Sequence, residues 1–143
     1  MDTFKIDSHK LNHHPERVAK WLKAENNWNE AKKVYPIYLE ISPSGICNHR
    51  CIFCSLDFMG YQRKFLDENV LKEQISEMVE LGVKSIMFGG EGEPLLHRKM
   101  PEIAVHAKNV GIDTAFTTNA TPLTEEFCKK ALGSITWIKV SIN

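Results

Sequence analysis

The chain has 143 residues, 43% hydrophobic and 25% charged, which excludes a disordered chain and is enough for the core of about one domain. Eighteen Lys and Arg balance eighteen Asp and Glu, so the formal net charge is zero. That leaves no electrostatic footprint for a nucleic-acid backbone, which is held by clustered basic residues.

From Lys5 to Lys33 the basic residues alternate with Asp7, Glu16, Glu25 and Glu30 and read as a solvated surface. The first seven residues lack a basic-then-apolar signal pattern. No apolar run approaches the roughly 20 residues that span a bilayer. A soluble, cytoplasmic protein is expected, with thiols free or metal-bound in a reducing compartment. Pro15 suits the first turn of a helix over 15–23, with Val18, Ala19 and Leu22 on one apolar side. A second short helix is expected over 28–33. Together these make a helical extension over residues 1–34.

The pattern then changes. Residues 36–42 are β-branched or aromatic between Pro36 and Pro43 and read as a strand. A cysteine-rich segment follows. Residues 66–81 form a helix capped by Asp67, with Leu71, Ile75, Met78 and Val79 on one face and Gly82 as terminator. Residues 84–89 are the second strand, 99–110 a helix, and 112–118 the third strand. Thr124 caps a helix over 125–132, where Leu123 and Cys128 are spaced for a hydrophobic staple. Residues 134–142 form a fourth strand, apolar enough for burial on both faces.

This β-α-β-α-β-α-β order with short links implies α/β architecture, parallel pairing and right-handed crossovers. An open doubly wound sheet and a barrel both fit. Four strands ending on a strand look unfinished, which favours part of a barrel over residues 35–143. Every parallel strand delivers its carboxyl end to one face, where sites are built. Three cysteines follow the first strand, a glycine-rich run the second, Asn119 the third, and Ser141 and Asn143 close the fourth.

Cys47, Cys51 and Cys54 place three soft ligands on one short loop, a donor set for an iron–sulfur cluster, zinc or copper(I). Structural zinc wants four ligands, and the fourth would have to be His49, the distant Cys128 or a group supplied in trans. A cubane with one open iron fits three thiolates better. Cys128, beside Phe127 and Ala131, reads as a buried inert thiol. His49 suits a polar loop position, and His97 either the rim or solvent. Gly89-Gly90-Glu91 leaves a strand with two bare backbone positions. Carbonyls and a carboxylate are acceptors, suited to an ammonium group. No Lys-Ser/Thr pair follows to make a phosphate cradle.

The loop Cys47-Asn48-His49-Arg50-Cys51-Ile52-Phe53-Cys54, with Gly89-Gly90-Glu91 and Thr118-Asn119, resembles the radical S-adenosylmethionine (radical SAM) superfamily. The resemblance runs from about residue 35 to 143. It implies the first four strands of a partial (β/α)6 TIM-like barrel. It also implies a 4Fe–4S cluster on Cys47, Cys51 and Cys54. S-adenosylmethionine would be held through Gly89, Gly90 and Glu91, with Asn119, Ser141 and Asn143 as further contacts. Its one-electron cleavage would yield a 5′-deoxyadenosyl radical that takes hydrogen from a substrate, and a flavodoxin- or ferredoxin-type donor would supply the electron. The family often places Glu directly before Pro, so Glu93 competes with Glu91 for the cofactor amino group. The fifth and sixth strands of that barrel are not in the sequence. Two rivals are an iron–sulfur electron carrier without this chemistry and a zinc-stabilised binding module.

Overall fold

The apolar spacing resolves into alternating strands and helices in the computed structural model, which describes residues 10–142. Strands β1 (Tyr38–Ile41), β2 (Ser85–Phe88), β3 (Asp113–Thr118) and β4 (Ile135–Val140) form one sheet in the order β1-β2-β3-β4. All three pairings are parallel, with Ile41 against Phe88, Phe88 against Phe116 and Phe116 against Ile138. The order does not reverse among the described residues, so they show no switch point of a doubly wound fold. Right-handed crossovers between successive neighbours put the crossover helices on one face, which is how a barrel wall is wound. The expected α/β arc of a partial barrel is therefore present.

Helix α4 (Glu68–Glu80) begins where Asp67 Oδ1 accepts the N–H groups of Asn69 and Val70, at 2.9 and 3.1 Å. It buries Leu71 and Ile75, with Met78 and Val79 packed alongside. Helix α5 (Met100–Asn109) buries Met100, Ile103, Ala104 and Ala107. Helix α6 (Glu125–Ala131), capped by Thr124, buries Phe127 and Ala131. They cover Leu39, Ile41, Ile86, Phe88, Phe116 and Ile138 of the sheet. Phe88 meets Phe116 tilted and Phe116 meets Phe127 edge to face in that core, with centroids 5.3 and 5.9 Å apart. Burying each such side chain contributes about 1.5–3 kcal/mol. By strand alternation Tyr38, Glu40, Met87, Thr117, Trp137 and Lys139 lie on the opposite face.

Helices α1 (Pro15–Ala24) and α2 (Trp28–Ala31) precede the sheet. The Arg17 guanidinium donates to Tyr35 O at 2.8 Å and to Gly82 O at 2.9 Å. Those carbonyls lead into β1 and β2, so α1 docks at the amino end of the sheet, away from the rim. The expected apolar face is not what docks, because Leu22 is 66% exposed and Ala24 is the buried residue. Leu22 lies five positions after Arg17, about 140° around the helix, so an inward guanidinium turns it outward. One further expectation changes. Cys128 is half-buried, since its neighbour Phe127 takes the inward position. Strand β4, apolar enough for burial on both faces, is an edge among the described residues, with Trp137 and Val140 42% and 46% exposed. No helix among the described residues is long and apolar enough to cross a membrane.

Candidate cofactor site at the carboxyl ends of the strands

The segment after β1 is a closed loop. Gly45 N donates to Lys64 O at 2.8 Å, Leu66 N donates to Pro43 O at 3.0 Å, and Ser44 bridges Phe65. This short antiparallel ladder ties the loop at its base. His97 pins the same base: it is 6% exposed, its Nδ1 accepts Lys99 N at 3.2 Å, and Nε2 meets Leu66 O at 2.7 Å. A backbone N–H can only donate, so Nδ1 is the acceptor and Nε2 carries the proton to the carbonyl. His97 is thus neither at the rim nor in solvent, and its ring stands edge-on to Phe65 at 5.6 Å.

Cys47, Cys51 and Cys54 lie inside the loop, free of disulfides and partly exposed. Cys54 N donates to Cys51 O at 2.9 Å, and a helix that the sequence reading missed, α3 (Ser55–Met59), starts from Cys54. Arg50 holds the turn: one nitrogen donates to Cys47 O and His49 O at 2.9 and 2.8 Å, and its carbon sits 4.0 Å over the Tyr61 ring. Two cysteine sulfurs carry explicit donors. Cys47 Sγ receives His49 N at 3.4 Å and Asn119 Nδ2 at 3.8 Å, and Cys54 Sγ receives the Tyr61 hydroxyl at 3.9 Å. The Tyr61 phenol is pushed above its ordinary pKa, first by desolvation and then by that bond to Cys54. His49 Nε2 meets Thr121 Oγ1 at 2.9 Å, which braces the loop against the exit of β3.

Among the described residues no group of three His, Cys, Asp or Glu is gathered tightly enough for a single metal ion. Three cysteines outside any disulfide on one loop, with donors aimed at the Cys47 and Cys54 sulfurs, fit a cluster that takes each thiolate on a different iron. They fit a four-ligand tetrahedral zinc poorly.

The loop after β2 crosses the cysteine loop at close quarters. Ser42 Oγ donates to Gly89 O at 2.8 Å and accepts Glu91 N at 2.6 Å. Gly90 has φ +91°, and a Cβ there would run into the Ser42 hydroxyl. A Cβ on Gly92 would strike the carbonyl oxygens of Ser44 and Ile46. Glu93 N donates to Ile46 O at 2.8 Å, so the two backbones touch directly.

The two glutamates part company here. Glu91 is exposed and lines a cavity of about 700 Å³ with Ser42, Ser44, Leu56 and Met59. Its carboxylate makes no hydrogen bond or ion pair among the described residues. Glu93 is 2% exposed and fully engaged. Its Oε1 accepts Leu95 N at 3.0 Å and Thr118 Oγ1 at 2.5 Å, and Oε2 accepts Asn119 N at 2.8 Å. Ser141, half-buried at the rim, extends the ladder by donating its N–H to Thr118 O at 2.8 Å. Asn143 lies outside the described residues. A second cavity, of about 430 Å³, lined by His13, Arg17 and Lys33, sits where α1 docks and is remote from this rim.

Ser42, Arg50 and Tyr61 were not singled out from the sequence. Ser42 alone had a positional signal, as the residue directly after β1 on the rim.

The radical SAM superfamily model matches residues 41–143, and the chain belongs to that superfamily. It is 34% identical over 102 residues to an S-adenosylmethionine-dependent nucleotide dehydratase of Lacinutrix mariniflava, covering 68% of this chain and 21% of that protein. It is 39% identical over 84 residues to a GTP 3′,8-cyclase of Chlorobaculum tepidum, covering 57% of this chain and 25% of that protein. The structure of Streptococcus suis SuiB bound to precursor peptide SuiA has a similar fold, with a TM-score of 0.67 at 20% identity over 93% of this chain and 36% of that one. The chain spans well under half the length of these relatives.

Proposed function

We propose that this chain carries the cofactor-binding part of a radical SAM enzyme, with 35–143 as the N-terminal part of the core domain and 1–34 as an extension, helical in α1 and α2, whose residues 1–9 lie outside the described residues. Cys47, Cys51 and Cys54 hold a 4Fe–4S cluster, and Gly89, Gly90 and Glu91 receive the amino group of S-adenosylmethionine. When bound, the two cofactors supply reductive cleavage of the sulfonium and a 5′-deoxyadenosyl radical that takes hydrogen from substrate.

The chain's own residues hold and orient. The ladder at 43–45 and 64–66, with Arg50, fixes the thiolates relative to the rim. Ser42 uses one lone pair of the Gly89 carbonyl, leaving the other for an ammonium donor. Glu91 supplies the charge, while Glu93 has its oxygens committed inside the protein. Asn119, Ser141 and Asn143 complete the rim side. A flavodoxin- or ferredoxin-type donor and a reducing cytoplasm belong to the same reading, supported by four cysteines that form no disulfide. The relatives' names concern a nucleotide, GTP and a peptide, so what they share with this chain is the radical-forming segment, not the selection of substrate.

The observation that carries the proposal is three cysteines outside any disulfide and one unbonded carboxylate on the same rim. An electron carrier has no use for that carboxylate and its cavity. Titration of anaerobically reconstituted protein with S-adenosylmethionine tests it. Glu91→Gln weakens binding roughly ten- to a hundredfold, the worth of about 1.5–3 kcal/mol for a charge-assisted contact. Unchanged affinity in Glu91→Gln, with loss in a folded Glu93→Gln, would reverse the assignment.

A further inference from the structure

Asn119 leaves β3 with both its backbone and its side chain fixed. Thr121 N donates to Asn119 Oδ1 at 3.0 Å. That donor identifies the oxygen end of the amide, so Nδ2 faces the cysteine loop. There it lies 2.8 Å from Asn48 Oδ1 and 3.8 Å from Cys47 Sγ. The backbone N–H of Asn119 is held by Glu93 Oε2 at 2.8 Å, and the neighbouring Thr118 hydroxyl by Glu93 Oε1. Burying the Glu93 carboxylate at 2% exposure is costly unless its oxygens are bonded, and these donors bond both. Directly after Asn119, Ala120 has φ 61°, a left-handed conformation unfavourable to a residue with a Cβ. The turn is therefore strained and braced, and its product is one amide N–H delivered to one sulfur. With His49 N at 3.4 Å, Cys47 Sγ then has two N–H donors.

We propose that Asn119, anchored by Glu93, tunes the reduction potential of the cluster by donating its side-chain amide to the Cys47 thiolate. Asn119 and Glu93 are positioning residues for the cofactor. The proposal rests on Cys47 being a cluster ligand. Reduction adds one electron, taken from the low-potential donor, and no bond in the protein is made or broken. A donor on a ligating sulfur stabilises the added negative charge and raises the potential. Losing one neutral hydrogen bond of this kind shifts the reduction equilibrium about three- to tenfold, and tenfold is about 59 mV for one electron.

Asn119→Ala, Asn119→Asp and Glu93→Gln are to be reconstituted anaerobically beside the wild type. Iron and sulfide are measured first, then the midpoint potential by redox titration followed by electron paramagnetic resonance. Asn119→Asp keeps the oxygen that accepts Thr121 N, so it preserves the turn while replacing the donor with a negative charge. The expected result is full loading, with a lower potential in Asn119→Ala, at least as low in Asn119→Asp, and a smaller drop in Glu93→Gln. A loaded Asn119→Ala at wild-type potential, or an Asn119→Asp variant that restores it, overturns the proposal. Failure of both Asn119 variants to take up iron assigns Asn119 to loop folding and overturns it equally. A wild-type chain that takes up no iron and sulfide sinks the functional reading along with it, whereas loaded variants at unchanged potential sink this proposal alone.

Discussion

Two glutamates two positions apart have opposite tasks because of what lies around them. Glu91 points into solvent beside a cavity, while Glu93 accepts from Leu95, Thr118 and Asn119 inside the protein. Glu93→Ala leaves buried donors unsatisfied, each worth about 1–3 kcal/mol, so its urea midpoint falls well below wild type. Glu91→Ala, with nothing to leave unpaired, leaves the unfolding free energy from the same titration within about 0.5 kcal/mol of wild type. Equal destabilisation would contradict the division of roles. The sequence alone left the pair open, because a Gly-Glu unit reads the same whether its carboxylate meets a ligand or a backbone N–H. His97 was misread for a related reason: its partners Leu66 O and Lys99 N are backbone groups that leave no mark on the sequence.

Loops and helices behave as units. Gly92 lies where the loops after β1 and β2 touch, and its neighbours are carbonyl oxygens of Ser44 and Ile46. Backbone cannot step aside as a side chain can, so Gly92→Ala is expected to cost about 1–3 kcal/mol and to impair iron uptake. Thermal unfolding and iron content check this, and a stable, fully loaded variant would show that the loops do not need this contact. In the helix layer, the Glu102 carboxyl is held below its ordinary value of 4.5, first by Lys130 at 2.7 Å, with burial opposing. Glu68 is lowered likewise, first by Lys72. A depressed folded-state pKa stabilises above the unfolded value and is lost as pH falls through the folded one. Denaturant midpoints should therefore drop below about pH 4.5, and Lys130→Met should shrink that drop while lowering the midpoint slightly at pH 7. An acid response identical to wild type would place the sensitive groups elsewhere.

The chain as a whole has two poles, with chemistry at the carboxyl ends of the strands and the Arg17 dock at the amino ends. Arg17→Met removes two bonds to part-buried carbonyls, each worth about 1.5–3 kcal/mol when the donor is charged. It should loosen residues 15–31 in hydrogen exchange while leaving iron uptake intact, and coupled loss of both would show that the poles are not independent. The barrel arc was legible because apolar periodicity switches between 2 and 3.6 in segments of ordinary length, and Asp67 and Thr124 mark helix starts by local chemistry. The ladder closing the cysteine loop was not, since its partners lie up to about 23 residues apart along the chain, and α3, at five residues, is too short for a helical period to show. The α1 face failed because one guanidinium outweighed the apolar pattern.

The central claim is that Cys47, Cys51 and Cys54 hold an iron–sulfur cluster on this rim, and metal and sulfide analysis of anaerobically reconstituted protein tests it most directly. The wild type should carry about four irons and matching acid-labile sulfide per chain. Replacing any one of the three by Ala should abolish this, while Cys128→Ala, on half-buried α6, should not. Stoichiometric zinc without sulfide, or iron that survives the loss of Cys51, would contradict it.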